Sequence, residues 1–180
     1  MKKNYHFSVR RLTASAILIA MSVVIGIFCK SVLNFGNGLF RITFENLPII
    51  LSGMLFGPVA GGVVGATSDL LSYLLSSQVY PPNLIVTLGS SVIGVSAGLV
   101  ARYFVTKRGT RQIAFAASLA HIIGSMIIKS IGLFQFYGWA VLVRIPLYFV
   151  IAGIEIWVLS LIYRKSVIKN LIESFDKEKI

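Results

Sequence analysis

Acidic residues are scarce in this chain: 6 Asp and Glu in 180 residues, against 17 Lys and Arg. Charged residues of both signs make up only 13%, where a soluble domain carries about 25%. That shortage excludes an ordinary water-soluble fold. It also excludes a nucleic-acid-binding domain, despite a pI near 10.1, because such a protein spreads its basic residues over a wet polar surface. The single cysteine, Cys29, excludes an intrachain disulfide and a cysteine-based metal site, and is read as a small apolar filler. Several motifs are missing as well: the G-x-x-x-x-G-K-(S/T) phosphate loop, H-E-x-x-H, any Cys/His cluster and the G-x-S-x-G elbow. No cofactor, catalytic metal or ATP hydrolysis by the chain itself is therefore expected. An inverted repeat, which a self-sufficient secondary transporter would often show, is lacking too.

Apolar residues are abundant, at 56% of the chain, with a mean hydropathy of +0.84. Disorder is excluded, because a disordered chain is poor in apolar residues. An integral membrane protein remains. A helix needs about 20 apolar residues to cross the hydrocarbon core, and six candidate stretches are present: Leu12 to Phe28, Phe44 to Phe56, Val59 to Leu75, Leu84 to Phe104, Ile113 to Phe134 and Ala140 to Tyr163. The first has no small-x-small cleavage site after it and is read as a retained span rather than a signal peptide. The second is short, carries Pro48 near its start, and ends at a tight Gly57-Pro58 turn. A re-entrant element is the alternative there, but the charge pattern favours a span.

Basic residues mark the cytoplasmic side of a membrane protein. With six spans and both termini inside, 13 of the 17 basic residues fall on that side. They are Lys2, Lys3, Arg10 and Arg11 before the first span; Arg102, Lys107, Arg108 and Arg111 between the fourth and fifth; and Arg164, Lys165, Lys169, Lys177 and Lys179 after the sixth. Five spans would scatter them. The expected fold is therefore an all-α integral membrane protein, a six-transmembrane-helix bundle with cytoplasmic N and C termini. It forms one domain over residues 1–180, in the cell membrane, in contact with anionic lipid and without a nucleic-acid partner.

The other basic residues, Lys30, Arg41, Lys129 and Arg144, lie at or near the outer third of such a bundle, with Glu45 and Asp69 in the same layer. Asp69 is six residues from the outer end of its span, about 9 Å deep at about 1.5 Å per residue. Ionisable side chains inside a membrane are costly and mark a site by default. Helical phase supports their convergence: His121, Ser125 and Lys129 share one face, as do Arg144, Tyr148 and Glu155, and Asp69 with Ser72, Tyr73 and Ser76. His121 is read as a hydrogen-bonded packing residue and Glu155 as a structural charge. The aromatic residues near the outer ends, among them Tyr80, Phe134, Tyr137 and Trp139, suit either an interfacial belt or a ligand. Small residues recur every fourth position at Gly53, Gly57, Gly61 and Gly65, at Gly94 and Gly98, and at Ala16 and Ala20. Such spacing lets helices pack closely.

Several stretches carry a family resemblance. They are Arg41-Ile42-Thr43-Phe44-Glu45-Asn46-Leu47-Pro48-Ile49, Gly53-Met54-Leu55-Phe56-Gly57-Pro58, Ser68-Asp69-Leu70-Leu71, Gln78-Val79-Tyr80-Pro81-Pro82-Asn83, Lys129-Ser130-Ile131-Gly132-Leu133 and Arg144-Ile145-Pro146. With these, the chain resembles the substrate-binding S component of an energy-coupling factor (ECF) vitamin transporter, and within that superfamily the folate-specific members. The resemblance implies high-affinity vitamin binding from outside, a transmembrane scaffold subunit, two cytoplasmic ATPases and delivery by tilting, with no enzymatic activity. It implies scaffold docking through Ala16 and Ala20. A folate ligand would take its pterin edge to Asp69 or Glu45, its two carboxylates to Lys30, Arg41, Lys129 or Arg144, and its rings to Tyr73, Tyr80, Phe134, Tyr137 and Trp139, with Gln78 and Asn83 in the same outer loop. Other readings stay open: an S component for a pantothenate- or deazapurine-type ligand, a membrane enzyme on lipid-linked substrates using Asp69 and Glu45 as acid and base, and a solitary transporter.

Overall fold

The computed structural model describes residues 9–35, 40–76, 82–104 and 110–164. Helix α1, Val9–Val32, is 24 residues long, about 36 Å at about 1.5 Å per residue and so longer than the hydrocarbon core. It leads into a short antiparallel pair, β1 Asn34–Phe35 and β2 Phe40–Arg41, in which Asn34 faces Arg41. Helix α2, Asn46–Phe56, has only 11 residues, about 16 Å, roughly half the core. At Gly57 the backbone takes φ +96°, a left-handed value that favours glycine, and α3, Pro58–Leu75, starts on a proline in its first turn.

Asn83 opens α4, Leu84–Leu99, by accepting a hydrogen bond from the Ile85 N–H at 3.0 Å. That helix widens into π-helical turns over Val100–Phe104. Helix α5, Thr110–Ala120, continues through a π-helical stretch, His121–Lys129, into α6, Ser130–Tyr137. The chain reverses at Gly138, φ +53°, and a 3-10 segment, Gly138–Val143, delivers it into α7, Arg144–Arg164. Each apolar run expected from the sequence overlaps one of these helical stretches. By length and hydropathy, Val9–Val32, Leu84–Tyr103 and the stretch Thr110–Arg164 are long and apolar enough to cross a membrane, and Asn46–Phe56 is a shorter apolar helix.

The distribution of polarity is that of a membrane protein. Val24, Phe28, Val59, Leu74, Leu88 and Trp157 point outward, while Glu155, His121, Ser52, Ser22 and Ser90 are buried. An apolar exterior needs lipid to cover it, and a polar interior needs internal partners. The basic residues segregate as well. Among the described residues Arg10, Arg11, Arg102, Arg111 and Arg164 sit at one set of helix ends, and Lys30, Arg41, Lys129 and Arg144 at or toward the other.

Glycines weld α2, α3 and α4 together. A methyl group added at Gly94 would fall on the carbonyl of Gly61, one at Gly53 or Gly61 on the carbonyl of Gly94, and one at Gly65 on that of Ser90. A methyl at Gly98 would lie 2.5 Å from the Pro58 nitrogen. The expected close approach holds at these positions, since only the lack of Cβ lets the backbones meet. Gly57 departs from it: an added Cβ there meets nothing within 4 Å, and its glycine serves the turn. Ala16 and Ala20 are both exposed on the outward face of α1.

Candidate ligand-binding cavity

The helix ends that carry Lys30 and Arg144, with the strand that carries Arg41, enclose a cavity of about 600 Å3, within the range of small-molecule sites, roughly 300–1,000 Å3. Lys30 comes from the end of α1, Arg41 from β2, Glu45 from the residue before α2, Asp69 from the last two turns of α3, Lys129 from the end of the π-helical stretch and Arg144 from the start of α7. All six ionisable residues expected to converge line this one space. Four cations and two anions leave its walls with a net charge of +2.

The two carboxylates are held differently. Glu45 is almost fully buried and lies between two cations: Arg41 Nη2 is 3.2 Å from its Oε1 and Lys129 Nζ is 3.6 Å from the same oxygen. The Lys129 ammonium also donates to Asn46 Oδ1 at 3.2 Å. Glu45 is thus the internal counter-ion of the buried Lys129 and of the half-buried Arg41, a pairing that desolvated charges require. Among the described residues Asp69 forms no ion pair. It accepts a hydrogen bond from Thr87 Oγ1 at 2.7 Å and a longer one from Ser90 Oγ at 3.4 Å. An ionised carboxylate has about four lone-pair sites, so Asp69 retains accepting capacity toward the cavity.

The remaining expected residues divide. Lys30 donates to the Ser72 carbonyl at 3.2 Å and to Ser76 Oγ at 3.3 Å, tying the end of α1 to the end of α3. Arg144 lies over the ring of Tyr137, 5.1 Å from its centroid, and both line the cavity with Tyr73. Asn83 also lines it, but its amide is engaged in the fold: Oδ1 caps α4 and Nδ2 donates to the Gly132 carbonyl at 2.5 Å. Trp139 does not reach the cavity. The 3-10 segment turns it outward, 76% exposed, with Phe134 as its edge-to-face neighbour at 5.4 Å. That pair fits the interfacial-belt alternative for these aromatics. Gln78 and Tyr80 lie outside the described residues.

Sequence reasoning passed over Thr43, Asn46, Thr87, Phe136 and Tyr148 as wall residues in their own right. Thr87 carried a signal: with Ser90 it lies three residues apart on α4, the spacing that puts two hydroxyls on one face toward Asp69. Gly26 and Gly89 carried none. An added Cβ at Gly26 would lie 2.7 Å from Glu45 Oε2, and one at Gly89 2.7 Å from Lys129 Cγ, so these glycines make the room that the buried pair occupies. Deeper, His121 and Glu155 pair with each other as the structural reading expects, at 2.6 Å. Among the described residues no three His, Cys, Asp or Glu side chains gather as a metal would require.

A profile of the family described as "ECF-type riboflavin transporter, S component" matches residues 6–173. The chain belongs to that family. This S component is 27% identical over 169 residues to the folate transporter FolT of Clostridium novyi (strain NT), covering 89% of the present chain and 96% of the relative. It is 32% identical over 100 residues to an uncharacterised protein of Mycoplasma pneumoniae, the MG098 homolog, which covers 54% of this chain but only 20% of that longer protein. Its fold matches the crystal structure of FolT bound with folic acid at a TM-score of 0.67 and 22% identity, over 87% of this chain and 96% of the other. The S-component architecture thus places the charged cavity in a membrane transport subunit.

Proposed function

We propose that this S component is the high-affinity binding subunit for folate of an ECF-type importer. The observation that carries the reading is the net +2 charge around one cavity, with Asp69 as the carboxylate that keeps free lone pairs. Folate is a dianion through its glutamate tail, and its pterin edge presents adjacent N–H donors. Asp69 takes that edge, Arg144 and Arg41 take the tail carboxylates, and Tyr73, Phe136 and Tyr137 flank the rings. Glu45 serves the site by holding Lys129 and Arg41 rather than by touching the pterin. FolT, named for folate, is similar over nearly its whole length, which supports the same ligand.

The chain forms one substrate-binding domain and crosses the cell membrane six times, the 11-residue α2 and the non-helical segment before it together making the second crossing. Both termini are cytoplasmic, because the larger share of basic residues then faces inward. The cavity opens outward. A membrane scaffold docks on the exposed α1 face at Ala16 and Ala20, and two cytoplasmic ATPases supply the energy for tilting the subunit and releasing ligand inside. The protein carries ligand and performs no chemistry on it.

A second reading follows from the family's description: riboflavin. That ligand is uncharged at neutral pH and brings no anion to the cavity's net positive charge. A titration of purified protein with folic acid, pteroic acid, riboflavin and pantothenate separates the readings. Folic acid binds most tightly, pteroic acid, which lacks the glutamate, binds at least about tenfold more weakly, and riboflavin and pantothenate do not compete. Tighter binding of riboflavin or pantothenate than of folic acid overturns the proposal.

A further inference from the structure

Below the cavity, α7 and the π-helical stretch bury a pair that ligand contact does not explain. Glu155 is 0% exposed and His121 1%. Glu155 Oε2 lies 2.6 Å from His121 Nε2, and His121 Nδ1 lies 3.3 Å from the hydroxyl of Ser125, which stands at the cavity wall. Among the described residues Glu155 Oε1 meets no hydrogen-bonding partner. The polar outlet of the pair is therefore Nδ1, toward Ser125. Runs of π-helix are rare and occur often at functional sites, and this one, His121–Lys129, holds His121, Ser125 and Lys129 together.

The proton count of the pair follows from the geometry. Nitrogen and oxygen at 2.6 Å have a hydrogen between them. With that proton alone the pair carries one negative charge where water does not reach, which is costly. A second proton makes it neutral. Placed on Oε1, that proton would find no acceptor. It sits on Nδ1, whichever partner of the short bond owns the first. The surroundings leave this balance in place. Helices α2 and α4 carry no ionisable side chain over Asn46–Phe56 and Leu84–Leu99, α5 carries Arg111 at its far end, and α7 carries Tyr148 and Arg144 toward the cavity and Tyr163 and Arg164 at its other end. The charged groups nearest in the cavity direction, Lys129 and Glu45, are paired at 3.6 Å, with Arg41 sharing the same carboxylate.

The geometry points to His121 and Glu155 as a positioning pair that fixes the Ser125 hydroxyl as a hydrogen-bond donor to the ligand. Nδ1–H donates to Ser125 Oγ, so the serine's own hydrogen turns away from the histidine and toward the cavity. The ligand class this selects carries an acceptor there, a carbonyl oxygen or an unprotonated ring nitrogen. Replacing Glu155 by glutamine releases that hold: the imidazole is neutral with one hydrogen, the amide can meet Nε2 through its oxygen or its nitrogen, and Nδ1 is no longer fixed as a donor to Ser125. The inference rests on this cavity being the ligand site.

Two measurements test it. In the His6→Gln background, which leaves His121 as the sole histidine, side-chain 15N NMR of the full chain without a histidine tag reports whether Nδ1 bears hydrogen. It is protonated at pH 7, and a bare Nδ1 overturns the inference whatever the protein binds. Ligand titrations of Ser125→Ala, Glu155→Gln and the double variant then use whichever of folic acid and riboflavin the unmodified protein binds. Each single change weakens binding about tenfold, and the double variant is no weaker than either single. Losses that multiply to about a hundredfold show that Glu155 acts independently of Ser125 and overturn the inference. If Glu155→Gln does not fold, the NMR result on the His6→Gln protein decides. Failure of folic acid to bind, with Nδ1 protonated, counts against the folate reading alone.

Discussion

The glycine seam of α2, α3 and α4 and the charged cavity near the other helix ends solve opposite problems. In the seam, helices meet with nothing between them: Gly53, Gly61, Gly94 and Gly98 have neighbouring backbone where a side chain would stand. In the cavity, the helices are kept apart, and the side chains lining the space are costly to bury and therefore held in pairs. Glu45 between Arg41 and Lys129, Asp69 under Thr87 and Ser90, and Lys30 on Ser72 and Ser76 each tie two elements. The seam is a device for shape, and the cavity one for charge. A membrane protein needs both, because lipid gives little drive for helices to associate and does not solvate an unpaired ion.

Changes in the seam should destroy the fold and changes in the cavity should destroy binding, with Glu45 the residue that does both. Gly94→Val has the largest effect. Its branched side chain strikes the Gly61 carbonyl, and overpacking of backbone on backbone exceeds the usual cost of about 1–3 kcal/mol. Thermal melts in detergent show loss of the folded protein. Glu45→Ala comes next. It strands the buried Lys129 and frees Arg41, at about 3–5 kcal/mol for breaking a buried pair, and both the melting temperature and ligand affinity fall. Asp69→Asn is smaller and separates the two properties. Affinity drops roughly 10- to 100-fold, as about 1.5–3 kcal/mol for a charged hydrogen bond implies, while the melt changes little, because Thr87 can still donate to the amide oxygen and the Ser90 hydroxyl can accept from the amide nitrogen. Trp139→Ala is smallest. Stability moves by less than about 0.5 kcal/mol and affinity by less than twofold, since the ring faces outward.

The sequence made the seam readable more fully than the cavity. Glycines four apart on adjacent helices announce close packing through local spacing alone, and only Gly57 misled, because a turn glycine fell into the same period. Helices were legible from the apolar runs, and the six ionisable residues from their depth along those runs. The bonds among them were not. Lys129 meets Asn46 from 83 residues away, and helical phase names a face without naming what the face meets. Trp139 was placed beside the charges by its neighbours in sequence, yet a 3-10 segment after the reversal at Gly138 carries it outward. Asn83 was legible as an outer-loop residue, but its capping of α4 is a property of where the helix begins. The roles of Glu45 and Asp69, alike in the sequence as two outer carboxylates, separate only once their partners are known.

On the proposed folate reading, the cavity's surplus of positive charge selects a dianionic pterin. The most direct measurement is the identity of the small molecule released when protein purified from cells is denatured. Folate released in near-stoichiometric amount, by absorbance and mass, is the predicted result. A flavin in its place, bound in the same cavity, contradicts the account.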